Sequence, residues 1–400
     1  MLFFKRKREK QERLPLGLYV HIPFCVKKCN YCDFLSAPAT DAVKEQYVDV
    51  LCKEISSYKE EADGYELKTI YFGGGTPSVL NSVQIEKILH TVKDTFCVDF
   101  PQAEITLEVN PGTVTRDRLL AYHDLGINRL SIGVQSAHDA ELMLLGRIHT
   151  FEQAKQCYVW AREAGFTNIS LDVISALPNQ TFSDYKETLE ALIALNPEHI
   201  SSYSLIVEEG TPFYELYAEG KEKAEELPDE ECDREMYAYT KKRLKEAGYE
   251  RYEISNYAKP GFESRHNSSY WTGIPYLGVG LGASSLFTNA RYHNESDLNA
   301  YLAAVQAGED IRKDMERLVV SEQMEEFMML GLRMMRGVSR SEFQKRFGCA
   351  METVYGQALK KLERNGLIIL DGDRVALTET GIDVSNQVFI EFIPEDFVRR

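Results

Sequence analysis

The sequence lacks an excess of basic residues: 46 Lys and Arg stand against 62 Asp and Glu, so the 400-residue chain has a net charge of −16. It also has few cysteines, 8 in all, and no apolar run as long as a membrane span or a signal-peptide core. The charge disfavours broad nucleic-acid binding, because no uniform positive surface is available for phosphates. The other absences exclude a disulfide scaffold and a membrane-spanning protein. We therefore expect a cytoplasmic protein.

The composition is that of a globular chain, with 44% hydrophobic, 11% aromatic and 27% charged residues. Its length suffices for one large domain and a smaller one. Residues 1–14 (MLFFKRKREKQERL) are basic after an apolar start. We interpret this segment as a solvated tail, with weak contact to a membrane surface as the alternative.

Short β-branched or aromatic runs alternate with longer segments of helical periodicity over the first half of the chain. Six such runs followed by helices predict parallel pairing in an α/β fold, an incomplete (β/α)6 TIM-like barrel. In that architecture the loops after the strands carry the chemistry. The predicted strands are Tyr19–Phe24, Thr69–Gly75, Glu104–Asn110, Asn128–Gln135, Asn168–Ala176 and His199–Val207.

The rest of the chain divides by composition. Residues 207–235 are acidic and are interpreted as a solvated, helix-rich connection without chemistry of its own. Residues 251–292 are rich in aromatics, Asn and Gly, as loops lining a site are. From about Leu318 the pattern is three helices and a hairpin, typical of a winged-helix domain, but its charge is balanced, which disfavours DNA binding. The predicted divisions are a tail (1–14), a barrel core (15–210), a linker with a barrel-completing segment (211–310) and a winged-helix-like domain (311–400).

Three of the cysteines, Cys25, Cys29 and Cys32, lie in one loop directly after the first predicted strand. Three thiolates on a short loop can hold three irons of a 4Fe–4S cube and leave the fourth iron without a protein ligand. A closed zinc or iron–sulfur site would need a fourth thiolate or His, and nearby His21 lies within the alternating strand. The scattered other cysteines are expected to be ordinary packed thiols.

Polar and glycine residues stand where the later strands end. Gly74 and Gly75, followed by Thr76, occur in the turn FGGGTPS, where glycine lets the backbone approach a ligand closely. Glu108 and Asp172 interrupt strongly apolar strands, where an unpaired charge would be costly. Together with Gln135 and Arg147 they form the predicted ligand-contacting set, with a surface ion pair as the alternative for Arg147.

The CxxxCxxC spacing followed by an aromatic resembles the signature of the radical S-adenosylmethionine (SAM) superfamily. That resemblance implies that SAM chelates the open iron, and that the reduced cluster can cleave it to a 5′-deoxyadenosyl radical. The motifs YVHIPFC, GGGTPS, EVNP, GVQS and EISN are further similar to the oxygen-independent coproporphyrinogen III oxidase group and its HemW-like relatives. The resemblance implies a SAM site, with room for two SAM molecules in the group, formed by Tyr19, Gly74, Gly75, Thr76, Glu108, Gln135, Arg147 and Asp172, with Tyr31 beside the cluster.

Two departures separate this sequence from the oxidases of that group. They carry CxxxCxxCxC, whereas Phe34 occupies the position of the fourth cysteine here. They also have a longer extension before the first strand, where this chain has only the residues ahead of Tyr19. By contrast, HNSSYW at residues 266–271 is similar to the H-N-x-x-Y-W motif associated with heme binding in HemW-type heme chaperones.

The residues of that motif suit heme: His266 offers an imidazole ligand, Tyr270 an alternative oxygen ligand and Trp271 a flat apolar face. The resulting expectation is a heme chaperone that binds heme and a SAM-ligated 4Fe–4S cluster and passes heme to an unidentified acceptor hemoprotein. The alternatives are an anaerobic coproporphyrinogen III decarboxylase and a winged-helix nucleic-acid binder. Oligomeric state, cleavage of SAM and covalent attachment of heme are left open.

Overall fold

The computed structural model describes residues 13–393 and confirms the six predicted strands. They are neighbours in sequence order and pair in parallel. The first and sixth do not pair with each other, so the barrel is incomplete, as expected. The strands are β1 (Leu14–Ile22), β2 (Tyr65–Gly74), β3 (Glu104–Val109), β4 (Arg129–Gln135), β5 (Ile169–Ser175) and β6 (His199–Ser204).

Helices connect these strands and cover the outside of the barrel. In the second helix the side chain of Asn81 caps the first turn, and the apolar residues Ile85, Ile88, Leu89 and Val92 recur every three or four positions, so one face is buried on the sheet. Burial of that face, rather than helix propensity, stabilises the element. The helices of this region are α1 (Asp41–Ser57), α2 (Ser82–Thr95), α3 (Arg116–Asp124), α4 (Asp139–Leu144), α5 (Phe151–Glu163) and α6 (Phe182–Leu195).

Six further strands, not predicted from the sequence, extend the sheet on both sides into twelve strands in all. One pair continues antiparallel from β6, and a group of four continues from β1, of which the first member is parallel to β1. Four of them, β7 to β10, have only two to four residues, too few to show a clear two-residue period in the sequence. They are β7 (Glu250–Arg251), β8 (Asn256–Ala258), β9 (Tyr276–Val279), β10 (Ser284–Phe287), β11 (Ala290–Asn294) and β12 (Arg312–Arg317).

The acidic connection is more than a solvated linker. As expected it contains helices: α7 (Pro212–Tyr217) lies within it and α8 (Glu230–Glu246) begins in it, but Phe213 and Tyr217 are buried. These two rings pack with Leu145, Ile174 and Leu177 in a small apolar cluster. Burial of aromatic surface therefore holds this segment against the barrel, which corrects the expectation of a purely solvated connection.

The C-terminal region has the predicted succession of three helices and a hairpin. A short strand completes a three-stranded sheet, and the region has its own apolar core. The four-part division of the chain stays a prediction. The elements not yet given are α9 (Arg265–Trp271), α10 (Leu298–Ala307), α11 (Val320–Gly331), β13 (Val338–Ser339), α12 (Arg340–Phe347), α13 (Met351–Arg364), β14 (Ile368–Asp371), β15 (Arg374–Leu377), α14 (Glu379–Asp383) and α15 (Ser385–Ile390).

Two expectations concern membranes. Within residues 13–393 no helix is long and apolar enough to cross one. The basic tail at residues 1–14 falls almost wholly outside the described residues, so its weak membrane contact stays a prediction.

The turn after β9 gives a test of this packing. Gly280 has φ +100, and a Cβ there would lie 2.5 Å from the Tyr47 hydroxyl oxygen and 2.8 Å from the His21 carbonyl oxygen. We expect Gly280→Ala to lower the free energy of unfolding by about 2 kcal/mol or more, through combined backbone strain and overpacking. Denaturant unfolding measures the change.

The matched control is Gly308→Ala, at φ +74 but with nothing within 4 Å of its Cβ. It should cost about 1 kcal/mol, the strain of a left-handed non-glycine residue alone. Equal losses for the two variants would show that the close approach at Gly280 carries no energy.

Candidate functional site

A cavity of about 550 Å³ opens at the carboxyl ends of the barrel strands. Most of the predicted site residues line it, although they are spread over the first half of the chain. Tyr19 and the heme-motif residues His266, Tyr270 and Trp271 are absent from its described lining. The predicted residues that line it are Cys25, Cys29, Tyr31, Cys32, Gly74, Gly75, Thr76, Glu108, Gln135, Arg147 and Asp172, and Phe34 lies with them.

The cysteine loop is held by groups from distant parts of the chain. The backbone N–H of Asn30 donates to the Leu145 carbonyl at 2.9 Å, and its side-chain amide donates to the Leu144 carbonyl at 2.9 Å. The Asn30 carbonyl in turn accepts from the Phe213 N–H at 3.0 Å. The Tyr31 ring lies 6.4 Å from the Phe213 ring between centroids. The turn after α4 and the start of α7 therefore set the conformation of the loop.

The three thiols face the same cavity and have polar neighbours. Thr76 Oγ1 lies 3.3 Å from Cys25 Sγ, and Arg147 Nη1 lies 3.6 Å from Cys29 Sγ. Burial raises the pKa of the Cys32 thiol to about 11, so iron binding there would displace a proton.

The arrangement fits a cluster better than a single ion. Across residues 13–393 no three or more His, Cys, Asp or Glu side chains converge closely enough to hold one metal ion. A cubane needs something different, because each thiolate bonds a different iron. Three thiols spread around one concavity, with a guanidinium beside one of them, therefore suit a 4Fe–4S cluster.

The glycine turn lies beside the cysteine loop because the ladder between β1 and β2 continues past both strands. The Gly75 N–H donates to the Ile22 carbonyl at 2.9 Å, and the Thr76 N–H donates to the Phe24 carbonyl at 2.8 Å. A Cβ on Gly75 would lie 2.8 Å from the Phe24 carbonyl oxygen. Glycine is required here by the close approach of two backbones, in addition to any contact with a ligand.

Glu108 on β3 and Asp172 on β5 both line the cavity, from the two strands that flank β4. Tyr71 donates to Glu108 Oε1 at 2.8 Å, while Ser131 Oγ donates to Asp172 Oδ2 at 2.9 Å and Ser170 Oγ donates to Asp172 Oδ1 at 3.0 Å. Burial raises the pKa of Glu108 to about 7 and also raises the pKa of Asp172. The hydrogen bonds leave acceptor capacity on both acids, whereas burial favours their neutral forms.

Gln135 and Arg147 meet at the end of β4. Gln135 has φ +70, and the β4–β5 register shifts between Gly133 and Gln135. Arg147 donates from Nη2 to the Gly133 carbonyl at 2.7 Å, and its Nε is buried with no partner among residues 13–393. Backbone strain and an unpaired buried donor are common marks of ligand sites.

Two sequence expectations for Arg147 need correction here. Arg147 is not at a strand end, since it follows α4, and it is not part of a surface ion pair, since it is turned inward to Cys29. The assignment of Tyr19 to the SAM site stays a prediction, since Tyr19 is absent from the described cavity lining and its hydroxyl lies 3.1 Å from His21 Nδ1. Burial raises its pKa well above 10, so it is a neutral phenol.

The heme motif forms α9, and its His266 is fully buried. His266 Nδ1 lies 2.8 Å from Thr69 Oγ1 and Nε2 lies 2.8 Å from the Tyr270 hydroxyl, while its ring stacks on Tyr71 with centroids 5.0 Å apart. Burial lowers its pKa to about 3. Both ring nitrogens therefore have partners within the protein, an arrangement that the motif alone did not indicate.

The motif reaches two different cavities. Asn267 lines the cysteine cavity, whereas Trp271 lines a second cavity of about 480 Å³ between α9, α11 and the C-terminal sheet. The Arg333 guanidinium carbon lies 4.4 Å from the centroid of the Trp271 ring. Helix α9 therefore separates the barrel interior from the junction with the C-terminal helices.

Sequence reasoning missed several residues that line the main cavity. Ser201 on β6 lines it, and β4 contributes Arg129 and Ser131 besides Gln135. Polar residues at alternate positions of an otherwise apolar strand were the available signal, because alternate residues share one face.

Comparisons with known proteins agree with this geometry. Residues 19–192 match the radical SAM superfamily, and residues 320–384 match the HemN C-terminal domain. The structure is similar to that of coproporphyrinogen III oxidase (HemN) from Escherichia coli, with a TM-score of 0.84 and 26% identity, across 95% of this chain and 90% of that chain. Fold and site together define a radical SAM protein of the HemN type, which implies a 4Fe–4S cluster and SAM as bound groups.

The similarity to curated proteins is more specific. Heme chaperone HemW from Lactococcus lactis is 37% identical across 96% of this chain and 98% of that protein. Heme chaperone HemW from Bacillus subtilis is 35% identical across 94% of this chain and 99% of that protein. The chain belongs to the HemW heme chaperone family, which confirms the resemblance found in the sequence.

The hydrogen bonds of His266 to Thr69 and Tyr270 indicate that this side chain stabilises the fold. We expect His266→Ala to lower the free energy of unfolding by about 2–4 kcal/mol, because it removes a buried ring and leaves the Tyr270 and Thr69 hydroxyls without that partner. Denaturant unfolding of the protein measures the loss.

His90, exposed on α2, provides the control. His90→Ala should stay within about 0.5 kcal/mol of the unsubstituted protein. A His266→Ala variant as stable as this control would contradict the described hydrogen bonding.

Proposed function

We propose that this protein is a heme chaperone that binds heme, carries a 4Fe–4S cluster with SAM, and passes heme to an acceptor hemoprotein. The observation that carries the proposal is similarity to proteins named heme chaperone HemW over nearly the whole chain, including the segment with HNSSYW. The cysteine cavity adds the residues that a cluster needs. Free thiols persist in a reducing compartment, so we propose that the protein acts in the cytoplasm.

In this proposal Cys25, Cys29 and Cys32 hold the cluster. Arg147 beside Cys29 stabilises thiolate charge, and Thr76 hydrogen-bonds Cys25. When bound, the cluster supplies one electron at a time and an iron that can accept an amino acid chelate. The protein's own part is to fix the loop through Asn30 and to keep the cavity side of the cluster within reach of a ligand.

SAM binding in this proposal uses two kinds of group. The carboxylates of Glu108 and Asp172 accept hydrogen bonds from ligand ammonium or hydroxyl groups, and the backbone near Gly74, Gly75 and Thr76 lies alongside the ligand. The remaining contacts are assigned to side chains around them, namely Tyr19, Tyr31 at the cluster loop, Gln135 and Arg147.

Heme binding is assigned to the region of α9, with His266, Tyr270 and Trp271 as its residues. In the described conformation His266 Nε2 faces the Tyr270 hydroxyl at 2.8 Å, so ligation through that atom requires this contact to be exchanged for iron. Trp271 already lines a cavity of about 480 Å³, within the usual range for a ligand of this size.

The rival function is oxidative decarboxylation of coproporphyrinogen III, favoured by the fold shared with HemN. Against it stands Phe34, which replaces the fourth cysteine of the oxidase spacing. Its side chain is 62% exposed at the lip of the cluster cavity. The two functions predict different results with the two porphyrins. A chaperone binds heme stoichiometrically, whereas an oxidase converts many molecules of the metal-free porphyrinogen.

Cys29→Ala tests the cluster assignment. We expect it to lose nearly all of the cluster's visible absorbance after anaerobic reconstitution, since a cubane needs all three thiolates to be retained. Iron and sulfide content are measured alongside the absorbance. Exposed Cys97 gives the control, and Cys97→Ala should keep the full cluster. Retention of the cluster by Cys29→Ala would overturn the ligand set.

The function itself is tested with anaerobically reconstituted protein in two parallel reactions. We expect uptake of about one heme per chain with a Soret band, transfer of that heme to an apo-hemoprotein, and no protoporphyrinogen from coproporphyrinogen III with SAM and reductant. Multiple turnovers of coproporphyrinogen would establish the oxidase instead.

The same spectra identify the heme ligand. His266→Ala should weaken heme uptake while the cluster stays intact, and Tyr270→Phe should leave uptake undiminished because it frees Nε2. Loss of uptake with Tyr270→Phe alone would assign the ligand to the Tyr270 oxygen. Unaltered uptake in both variants would remove the motif from the heme site.

A further inference from the structure

Arg129, the first residue of β4, is a buried cation without a direct partner. Its side chain lines the floor of the cysteine cavity, and the residue is 1% exposed. Its Nε and Nη1 atoms are buried with no hydrogen-bond partner among residues 13–393. Neither the family motifs nor the proposed ligand set assigns it a role.

A guanidinium stays charged even when buried, because its intrinsic pKa is above 12. An uncompensated charge in a protein interior is costly, so a nearby anion must offset it. The anion that offsets the charge of Arg129 must therefore be an ionisable group of the same interior.

Strand register brings two carboxylates to the same place. Ser131 lies two residues above Arg129 on the same face of β4, about 6.6 Å further along the strand. Glu108 on β3 is the register partner of Ser131, and Ser131 Oγ donates to Asp172 on β5 at 2.9 Å. Arg129 thus lies below the two acids on the wall of the same cavity. Burial raises the pKa of both acids, and the positive charge of Arg129 acts against that rise.

The other ionisable groups facing this interior are neutral or already engaged. Burial lowers the pKa of His266 to about 3 and that of His199 well below its usual value. Glu104, at the foot of β3, accepts the backbone N–H groups of Arg265 and His266 at 2.9 Å each. Burial raises the pKa of the phenols around the site, namely Tyr19, Tyr31, Tyr71, Tyr203, Tyr252 and Tyr270.

The second cation of the site cannot replace Arg129. Arg147 lies at the upper end of the cavity, where its two terminal nitrogens contact the Gly133 carbonyl and Cys29 Sγ. Of the two buried cations, Arg129 is therefore the one available to the lower carboxylates, since Lys27 and Lys28, which also line the cavity, are exposed.

We propose that Arg129 is the internal counter-ion of Glu108 and Asp172 and acts as a positioning residue that favours the ionised form of both acids for the ligand. The proposal rests on the proposed SAM site. Ionised acids accept hydrogen bonds from an ammonium and from hydroxyl groups, whereas protonated ones have one acceptor fewer and present a donor. The ligand chemistry that this pair recognises is thus a positively charged, hydroxyl-bearing molecule such as SAM.

The test measures SAM binding to the reconstituted holoprotein by equilibrium dialysis from about pH 6 to about pH 9. In the unsubstituted protein, binding should strengthen as pH rises through about 7, where Glu108 loses its proton. Arg129→Met should move that midpoint up by about one pH unit or more, which means about tenfold weaker binding below both midpoints. Binding should recover as the pH approaches 9.

The controls separate charge from structure. Arg129→Lys keeps the charge and should restore most of the unsubstituted pH profile. Arg116→Met removes a surface arginine paired with Glu163 and should change neither affinity nor midpoint. Cluster absorbance is recorded for every variant, so loss of the cluster is not read as loss of SAM binding.

A stability measurement keeps the proposal testable if Arg129→Met folds poorly. The double variant R129M/D172N removes one charge of each sign, so it should have a higher thermal midpoint at pH 8 than R129M alone. A lower thermal midpoint for the double variant than for R129M would contradict the assignment of Arg129 as counter-ion.

Two further results would also overturn the proposal: an unchanged pH profile in Arg129→Met, or an equal loss of affinity at all pH values, which would indicate direct contact between Arg129 and ligand. Failure of the proposed SAM site itself has a different signature. In that case the unsubstituted holoprotein and Glu108→Gln would bind SAM equally weakly.

Discussion

The backbone ladder between β1 and β2 is the constraint on which the site depends. It continues beyond both strands, so Gly75 and Thr76 bond the carbonyls of Ile22 and Phe24, and Cys25 follows at once. Because two backbones approach this closely, a side chain at Gly75 would collide with the Phe24 carbonyl. The glycine turn and the cysteine loop thereby share one wall of the cavity, which is the arrangement needed for a ligand that bridges a cluster and a strand end.

A second constraint is the balance of charges inside the barrel. Filled barrels usually carry layers of apolar residues inside, whereas this barrel holds Glu108, Asp172 and Arg129 in its cavity. Serine and tyrosine hydroxyls hydrogen-bond the two acids, but they leave them with acceptor capacity to spare. The interior is therefore built to receive a polar, charged ligand rather than to maximise packing.

Much of the fold and of the candidate site could be predicted from short-range patterns in the sequence. Six strands and their helices follow from short-range periodicity, and the three cysteines follow from their spacing after β1. What local patterns missed depends on contacts between distant residues. The N–H groups of Arg265 and His266 bond Glu104, some 160 residues away in the chain, and this contact holds His266 inside. The short strands β7 to β12 pair with edges that exist only once the barrel has formed.

The sequence by itself determined the class of protein, the cluster loop and the carboxylates at the strand ends, because these depend on residue type and on spacing within one element. Tertiary structure decided the rest. It turned Arg147 inward to Cys29, placed the Tyr19 hydroxyl beside His21, divided HNSSYW between two cavities and brought Arg129, Glu108 and Asp172 to one cavity. The physical reason is that the cost of burying a charge or the availability of a ring nitrogen depends on which distant groups surround it, and folding alone brings those groups together.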